Sequence, residues 1–196
     1  VLALILPPSP EYPVAYLAAA KLGAITAGVN DCLTTAERNA LLETAAPRLV
    51  LAAPGLEPDG VSSVETVTPA DGPNAMLQEL RATDETPPAL ADEPDRPIAI
   101  VFTSGTTGLP KGALYRNRQL AFITRVDTGG RWGPGGHTIG GTSLAHLGPT
   151  TKLPGNLMRG ATTHLLSRWT AAAAIELVAR HRMAGIGGIP TQIALM

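Results

Sequence analysis

The sequence predicts an α/β fold of layered sheets with flanking helices, and three features carry that prediction. Apolar runs of strand length at Val1 to Leu6, Ala24 to Val29 and Arg48 to Ala53 alternate with segments of helical periodicity. Ile98-Ala99-Ile100-Val101-Phe102 is an unbroken apolar run rich in β-branched residues, the pattern of a strand covered on both faces. The segments between the runs carry helix-starting and helix-stopping chemistry at the expected offsets.

In order, Val1 to Leu6 forms the first strand. Ser9 is placed to cap a helix with Pro10 in its first turn, an apolar stripe of Val14, Leu17, Ala18 and Leu22, and Gly23 at its end. Ala24 to Val29 is a second strand. Thr34-x-x-Glu37 has the form of a capping box opening a helix to about Ala46, which Pro47 stops. Arg48 to Ala53 and Val61 to Val67 read as strands and Ala75 to Ala82 as a short helix. These make up a first α/β portion, 1–83. Residues 84–97, rich in Pro, Asp and Glu, are an acidic linker expected to be exposed. The second α/β portion, 98–196, starts with the apolar run, continues in a helix from Leu114 to about Asp127, and passes through a Gly-rich loop from Gly129 to Gly141. A strand from Thr142 to His146, a helix from Leu153 to Arg159 and a strand near Gly160 to Leu166 come next. Thr170 caps a helix that turns Ala174, Ile175 and Val178 inward and ends at Gly185, before a strand and turn at Ile186 to Thr191.

Composition narrows the function. The chain has 196 residues, 44% of them hydrophobic, enough for a sizeable core. A net charge of −1 offers no electrostatic footprint for nucleic acid. Cys32 is the single cysteine, so neither a disulfide framework nor a Cys/His zinc spacing is present, and no metal ligand is assigned. No apolar run approaches the ~20 residues of a membrane span, and no basic leader opens the chain, so a cytoplasmic protein is expected. The chain begins inside a strand without an initiator Met and stops as a helix starts, so it is expected to be cut at both ends.

The chemistry lies just after the central strand, in Thr103-Ser104-Gly105-Thr106-Thr107-Gly108-Leu109-Pro110-Lys111-Gly112. Backbone N–H groups freed by glycine, the hydroxyls of Ser and Thr and one lysine suit an anion, phosphate above all. A Walker loop is disfavoured, because Pro110 precedes Lys111 and Gly112 stands where that motif has Ser or Thr.

This stretch resembles the phosphate-loop signature [ST]-S-G-[ST]-T-G-x-P-K-G of the adenylate-forming enzymes, which include acyl-CoA synthetases, aryl-CoA ligases, luciferases and peptide-synthetase adenylation domains. The opening Leu6-Pro7-x-Ser9-Pro10-Glu11-Tyr12 and Ala18 to Ala24 resemble the early part of acyl-CoA synthetases. So do Thr142 to His146, Gly160 to Leu166 and Ile186 to Thr191 later in the chain. The run Arg116-Asn117-Arg118-Gln119 departs from the family's T-H-R-N-like segment by lacking its His. The resemblance implies part of the large N-terminal domain of an acyl-CoA synthetase-like fold. It implies Thr103, Ser104, Gly105, Thr106, Thr107, Gly108 and Lys111 as binders of nucleotide phosphate, and His146 as a residue of the acyl pocket. His137, His164 and His181, and Trp132 and Trp169, are expected to be ordinary packing residues.

The implied reaction activates a carboxylic acid with ATP and magnesium to an acyl-adenylate and transfers the acyl group to coenzyme A. The weakly polar stretch from Leu144 to Leu153 points to a fatty or other apolar acid. The family's magnesium ligand, ribose-binding Asp and catalytic Lys fall outside these 196 residues, so no catalytic residue is assigned and the chain alone is expected to be inactive. A non-catalytic nucleotide-binding or regulatory module is the alternative.

Overall fold

The computed structural model describes residues 1–61, 64–69, 75–83, 86–103 and 110–196. Strands β1 (Leu2–Ile5), β2 (Thr26–Gly28), β3 (Leu49–Ala52), β4 (Glu65–Val67), β5 (Pro97–Thr103) and β6 (Lys111–Arg116) form one sheet in the order β4-β3-β1-β2-β5-β6. All neighbours run parallel except β6, which turns back antiparallel on β5. Strands from both sides of the acidic linker therefore share a single sheet.

Alternation along the strands divides the core between the two faces. Leu4, Leu6 and Leu51 point to a layer containing Tyr12, Ala15 and Tyr16 of α1 (Glu11–Lys21), Met76 of α3 (Ala75–Glu79) and Leu120 of α4 (Asn117–Thr128). Ala3, Ile5, Val50 and Ala52 face the other way, onto Leu41, Leu42 and Ala45 of α2 (Thr35–Ala45). Ile98 and Ala99, though consecutive, both join the α1 layer. A register irregularity between Pro97 and Ala99 accounts for it, since a bulge interrupts the two-residue alternation.

The α1 prediction had the wrong face. Its buried residues are Tyr12, Ala15, Tyr16 and Ala19, whereas Val14 and Leu22 are 46% and 61% exposed. The two tyrosines outweigh the aliphatic stripe because their rings bury more area. Pro10 rather than Ser9 occupies the N-cap, with no side-chain hydrogen bond. The α2 prediction holds in detail: Thr34 Oγ1 accepts from Glu37 N at 3.3 Å, and the Glu37 carboxylate accepts from Thr34 N at 2.8 Å.

Residues 114–116 belong to β6, so the helix that follows starts at Asn117, three residues later than expected. Arg96 explains the join: Asn117 N donates to the Arg96 carbonyl at 2.9 Å, and Arg116 Nη1 donates to the Asp95 carbonyl at the same distance. Arg118 pairs with the Asp95 carboxylate at 3.2 Å. Arg116 and Arg118 thus fasten the end of the linker to the β6–α4 corner.

Beyond α4 lies a smaller layer. β7 (His137–Gly140) and β8 (Thr162–Leu165) pair in parallel, joined through α5 (Leu147–Arg159), with α6 (Ala171–His181) and α7 (Pro190–Ala194) following. Several elements here differ from the expectation. The Gly-rich stretch contains β7. Residues 142–146 form a turn rather than a strand. α5 begins six residues before the predicted Leu153, its periodicity masked by Gly148, Pro149, Pro154 and Gly155. Residues 186–189 form no strand, and α7 starts at Pro190. On α6, Thr170 Oγ1 accepts from Ala173 N at 3.2 Å as expected, and Ala174 is fully buried, but Ile175 is exposed and the helix ends at a left-handed Arg182 rather than at Gly185. Trp132 is 79% exposed and packs in no core. Among the described residues no helix is long and apolar enough to cross a membrane.

Candidate functional site

Open α/β sheets hold ligands beyond the carboxyl ends of their parallel strands, and the sequence-marked residues converge on that edge. Thr103 closes β5, Lys111 opens β6, and the two are direct cross-strand partners. Thr103 Oγ1 points toward the Lys111 carbonyl at 3.5 Å. Both side chains are exposed, and among the described residues Lys111 enters no ion pair. Ser104, Gly105, Thr106, Thr107 and Gly108, the remainder of the predicted loop, lie outside the described residues.

The glycine after the lysine has a packing role. Gly112 stands opposite Phe102, and a Cβ there would lie 2.8 Å from Ile100 Cγ2. Without that atom β6 closes onto β5 and fixes where Lys111 emerges.

His146 reaches the same edge from another element. It occupies the N-cap of α5 without a side-chain capping bond, and its Nε2 lies 3.4 Å from Asn30 Nδ2, just past the end of β2. Asn30 is itself fixed, its Oδ1 accepting from Cys32 N at 3.0 Å. The turn before His146 seats on β2 because Gly28 has no side chain: a Cβ there would fall 2.9 Å from Ala145 Cα and collide with the Tyr12 hydroxyl. Since β2 neighbours β5, Asn30, the partner of His146, follows the strand adjacent to the one that Thr103 closes. Burial, and secondarily the nearby Tyr16, raises the Tyr12 phenol well above its ordinary value of 10.0, so the hydroxyl under this turn stays neutral.

Chemically, an ammonium and a hydroxyl at a sheet's carboxyl edge can bind an anion. A separate open groove of about 800 Å³ is lined by Val126, Asp127, Thr128, Arg131, Pro134 and Arg159, none of them predicted site residues. Two features escaped the sequence reading. Gln192, only 8% exposed, donates from Nε2 to the Gly141 carbonyl at 2.7 Å and ties α7 to the end of β7. His137, His164 and His181, far apart in the chain, come together in space. Sequence spacing holds no signal for either, because both depend on how β7, β8 and the last helices pack.

A model of the AMP-binding enzyme family matches residues 1–196. The chain belongs to this AMP-binding enzyme family. It is 25% identical over 205 residues to the long-chain-fatty-acid–CoA ligase FadD13 of Mycobacterium tuberculosis, covering 99% of this chain and 40% of that protein. To 4-coumarate–CoA ligase 1 of Oryza sativa subsp. japonica it is 29% identical over 195 residues, covering 89% of this chain and 35% of the relative. Its fold superposes on the o-succinylbenzoate CoA synthetase of Bacillus subtilis, solved with its acyl-adenylate intermediate, at a TM-score of 0.82 and 22% identity, covering 98% of this chain and 39% of that one. As a member of the AMP-binding family, the chain thus spans about 40% of the length of the curated relatives it matches first. The family fold is the mixed sheet with flanking helices described above, and it puts Thr103 and Lys111 of this member at the carboxyl edge.

Proposed function

We propose that the chain carries the phosphate-binding part of an ATP-dependent acid–thiol ligase, an acyl-CoA synthetase acting on a fatty or similarly apolar acid in the cytoplasm. The observation that supports it best is the placing of Thr103 and Lys111 side by side at the carboxyl edge, bracketing the Ser/Thr/Gly signature. In this reaction the substrate carboxylate attacks the α-phosphorus of ATP, a new P–O bond forms, and pyrophosphate leaves. The thiol of coenzyme A then attacks the acyl carbon, and AMP departs with the electron pair of the broken C–O bond.

The protein's task in the first step is to hold two anions together and to stabilise charge building on the leaving group. Lys111 supplies the positive charge, and Thr103, Ser104, Thr106 and Thr107 supply hydroxyls, with Gly105 and Gly108 allowing close backbone approach. Thr103 and Lys111 offer no carboxylate, so the pair suits phosphate rather than magnesium. His146, held by Asn30 on the neighbouring strand end, is assigned to the acid side of the site. The relatives that support an acid–CoA ligase differ in acid, one a long-chain fatty acid and another 4-coumarate. The apolar acid is therefore assigned from the Leu144 to Leu153 stretch and from the first relative.

The test is ATP–pyrophosphate exchange by the complete ligase over a series of fatty and aromatic acids, followed by thioester formation with coenzyme A. Exchange dependent on apolar acids is the expected result. The 196-residue chain alone is expected to bind ATP without exchange. Nucleotide binding with no exchange for any acid in the complete protein would replace the ligase with a nucleotide-binding module.

A further inference from the structure

We propose that His137, His164 and His181 form a binding site for one divalent transition-metal ion, zinc being the best match, apart from the nucleotide edge. Each contributes one ring nitrogen, and the three ligand atoms lie within 4.8 Å of one another. Their grouping follows from the fold. In the parallel β7–β8 pair His137 faces Thr162 and Ile139 faces His164, so the two histidines sit two positions apart in register on one face of the strands. The last residue of α6 then brings His181 against both rings, with centroids 4.3 Å from each.

The geometry is close to that of a chelate. His137 Nδ1 and His164 Nε2 are 2.9 Å apart. Zinc with nitrogens at roughly 2.0–2.1 Å in a tetrahedral shell spaces them at roughly 3.3–3.4 Å. The rings lie 20° to 33° from parallel, so binding needs them to fan out around the ion by side-chain rotation, with little backbone movement. Three imidazoles leave a fourth position, and exposed His137 opens it to water or a small ligand. Imidazole selects zinc, copper or nickel over magnesium or calcium.

Charge does not oppose the site strongly. Two arginines flank His181: Arg180 is paired with Glu176 one turn earlier on the helix, and Arg182 stands at the left-handed C-cap. Without an ion His137 Nδ1 and His164 Nε2 share a hydrogen bond, one ring donating and the other accepting, and an ion would replace it with metal–nitrogen bonds. Its structural effect is to tie together β7, β8 and α6, of which the two strands alone make a sheet of marginal stability.

The experiment uses untagged protein, because a polyhistidine tag would supply the same ligands. After treatment with chelator the chain is titrated with zinc by calorimetry and with cobalt(II), whose absorption reports coordination number. One ion per chain is expected, with a rise in Tm on zinc addition. His164→Gln and His181→Gln should each weaken binding tenfold or more and abolish the rise in Tm, while Cys32→Ser should leave both unchanged. His137→Gln, at an exposed strand end, gives the same readout should either of the other variants misfold. Absence of a stoichiometric ion, or a zinc affinity that survives substitution of the histidines, overturns the site.

Discussion

At the scale of single residues, the edge is built by groups whose roles differ in how far the sequence discloses them. Lys111 is marked by local sequence, because it follows a Ser/Thr/Gly run suited to phosphate. Lys111→Ala in the complete ligase is expected to lower kcat/KM for ATP by roughly a hundredfold or more, measured by exchange at varied ATP; unchanged kinetics would remove it from the phosphate site. Gly28 was not legible, because its need for a bare Cα arises from Ala145 and Tyr12, which only the fold brings near. Gly28→Ala should destabilise the chain by about 1–3 kcal/mol, the usual cost of overpacking, and a denaturant midpoint equal to that of the parent would refute the contact. Burial also pushes the Tyr16 phenol up to about 12 and Tyr12 higher. Both folded values lie above the unfolded 10.0, so the stability they lend is fully present below pH 10 and is lost as pH rises through the folded values. Thermal melts should therefore show Tm falling above about pH 10, in step with tyrosinate absorption.

At the scale of elements, local chemistry was decisive where it was self-contained. The α2 capping box needs only Thr34 and Glu37, and it formed as the spacing predicts. The side-chain hydrogen bond from Thr34, and next the backbone one, lowers the Glu37 carboxyl below its ordinary 4.5. A depressed folded value means that the contribution is present above pH 4.5 and is lost as pH falls through the folded value. Thr34→Ala should thus lower Tm at pH 7 but much less at strongly acidic pH, and an equal loss at both would sink the assignment. Elements whose limits depend on partners were misplaced. β6 takes Leu114 to Arg116 from the predicted helix because β5 offers backbone partners there, and α5 spans two prolines because its packing against α4 outweighs their local cost.

At the scale of the whole molecule, the α/β class was legible from strand and helix alternation, whereas the topology was not. Hydropathy marks the 84–97 linker as a division, yet β5 inserts between β2 from one side and β6 from the other. Long-range pairing of this kind leaves no trace in local pattern. A proteolytic nick within 86–92 should therefore leave two fragments that co-elute in size-exclusion chromatography, held by β2–β5 pairing and by the packing of Ile98, Ala99 and Leu120 into the layer of Tyr12 and Tyr16. Separation without denaturant would contradict this. The position of β6 has one more consequence. As the outermost strand it presents a row of backbone donors and acceptors along exposed Lys111, Gly112, Ala113 and Leu114, and Lys111 at one end with Arg116 at the other are its only charges. Two such edges repel each other through those cations and attract through everything between them. Salt shortens the repulsion to about 10 Å at 0.1 M, so the colloidal behaviour of this chain should turn on ionic strength, with light scattering rising as salt is added well below the temperature at which its core melts.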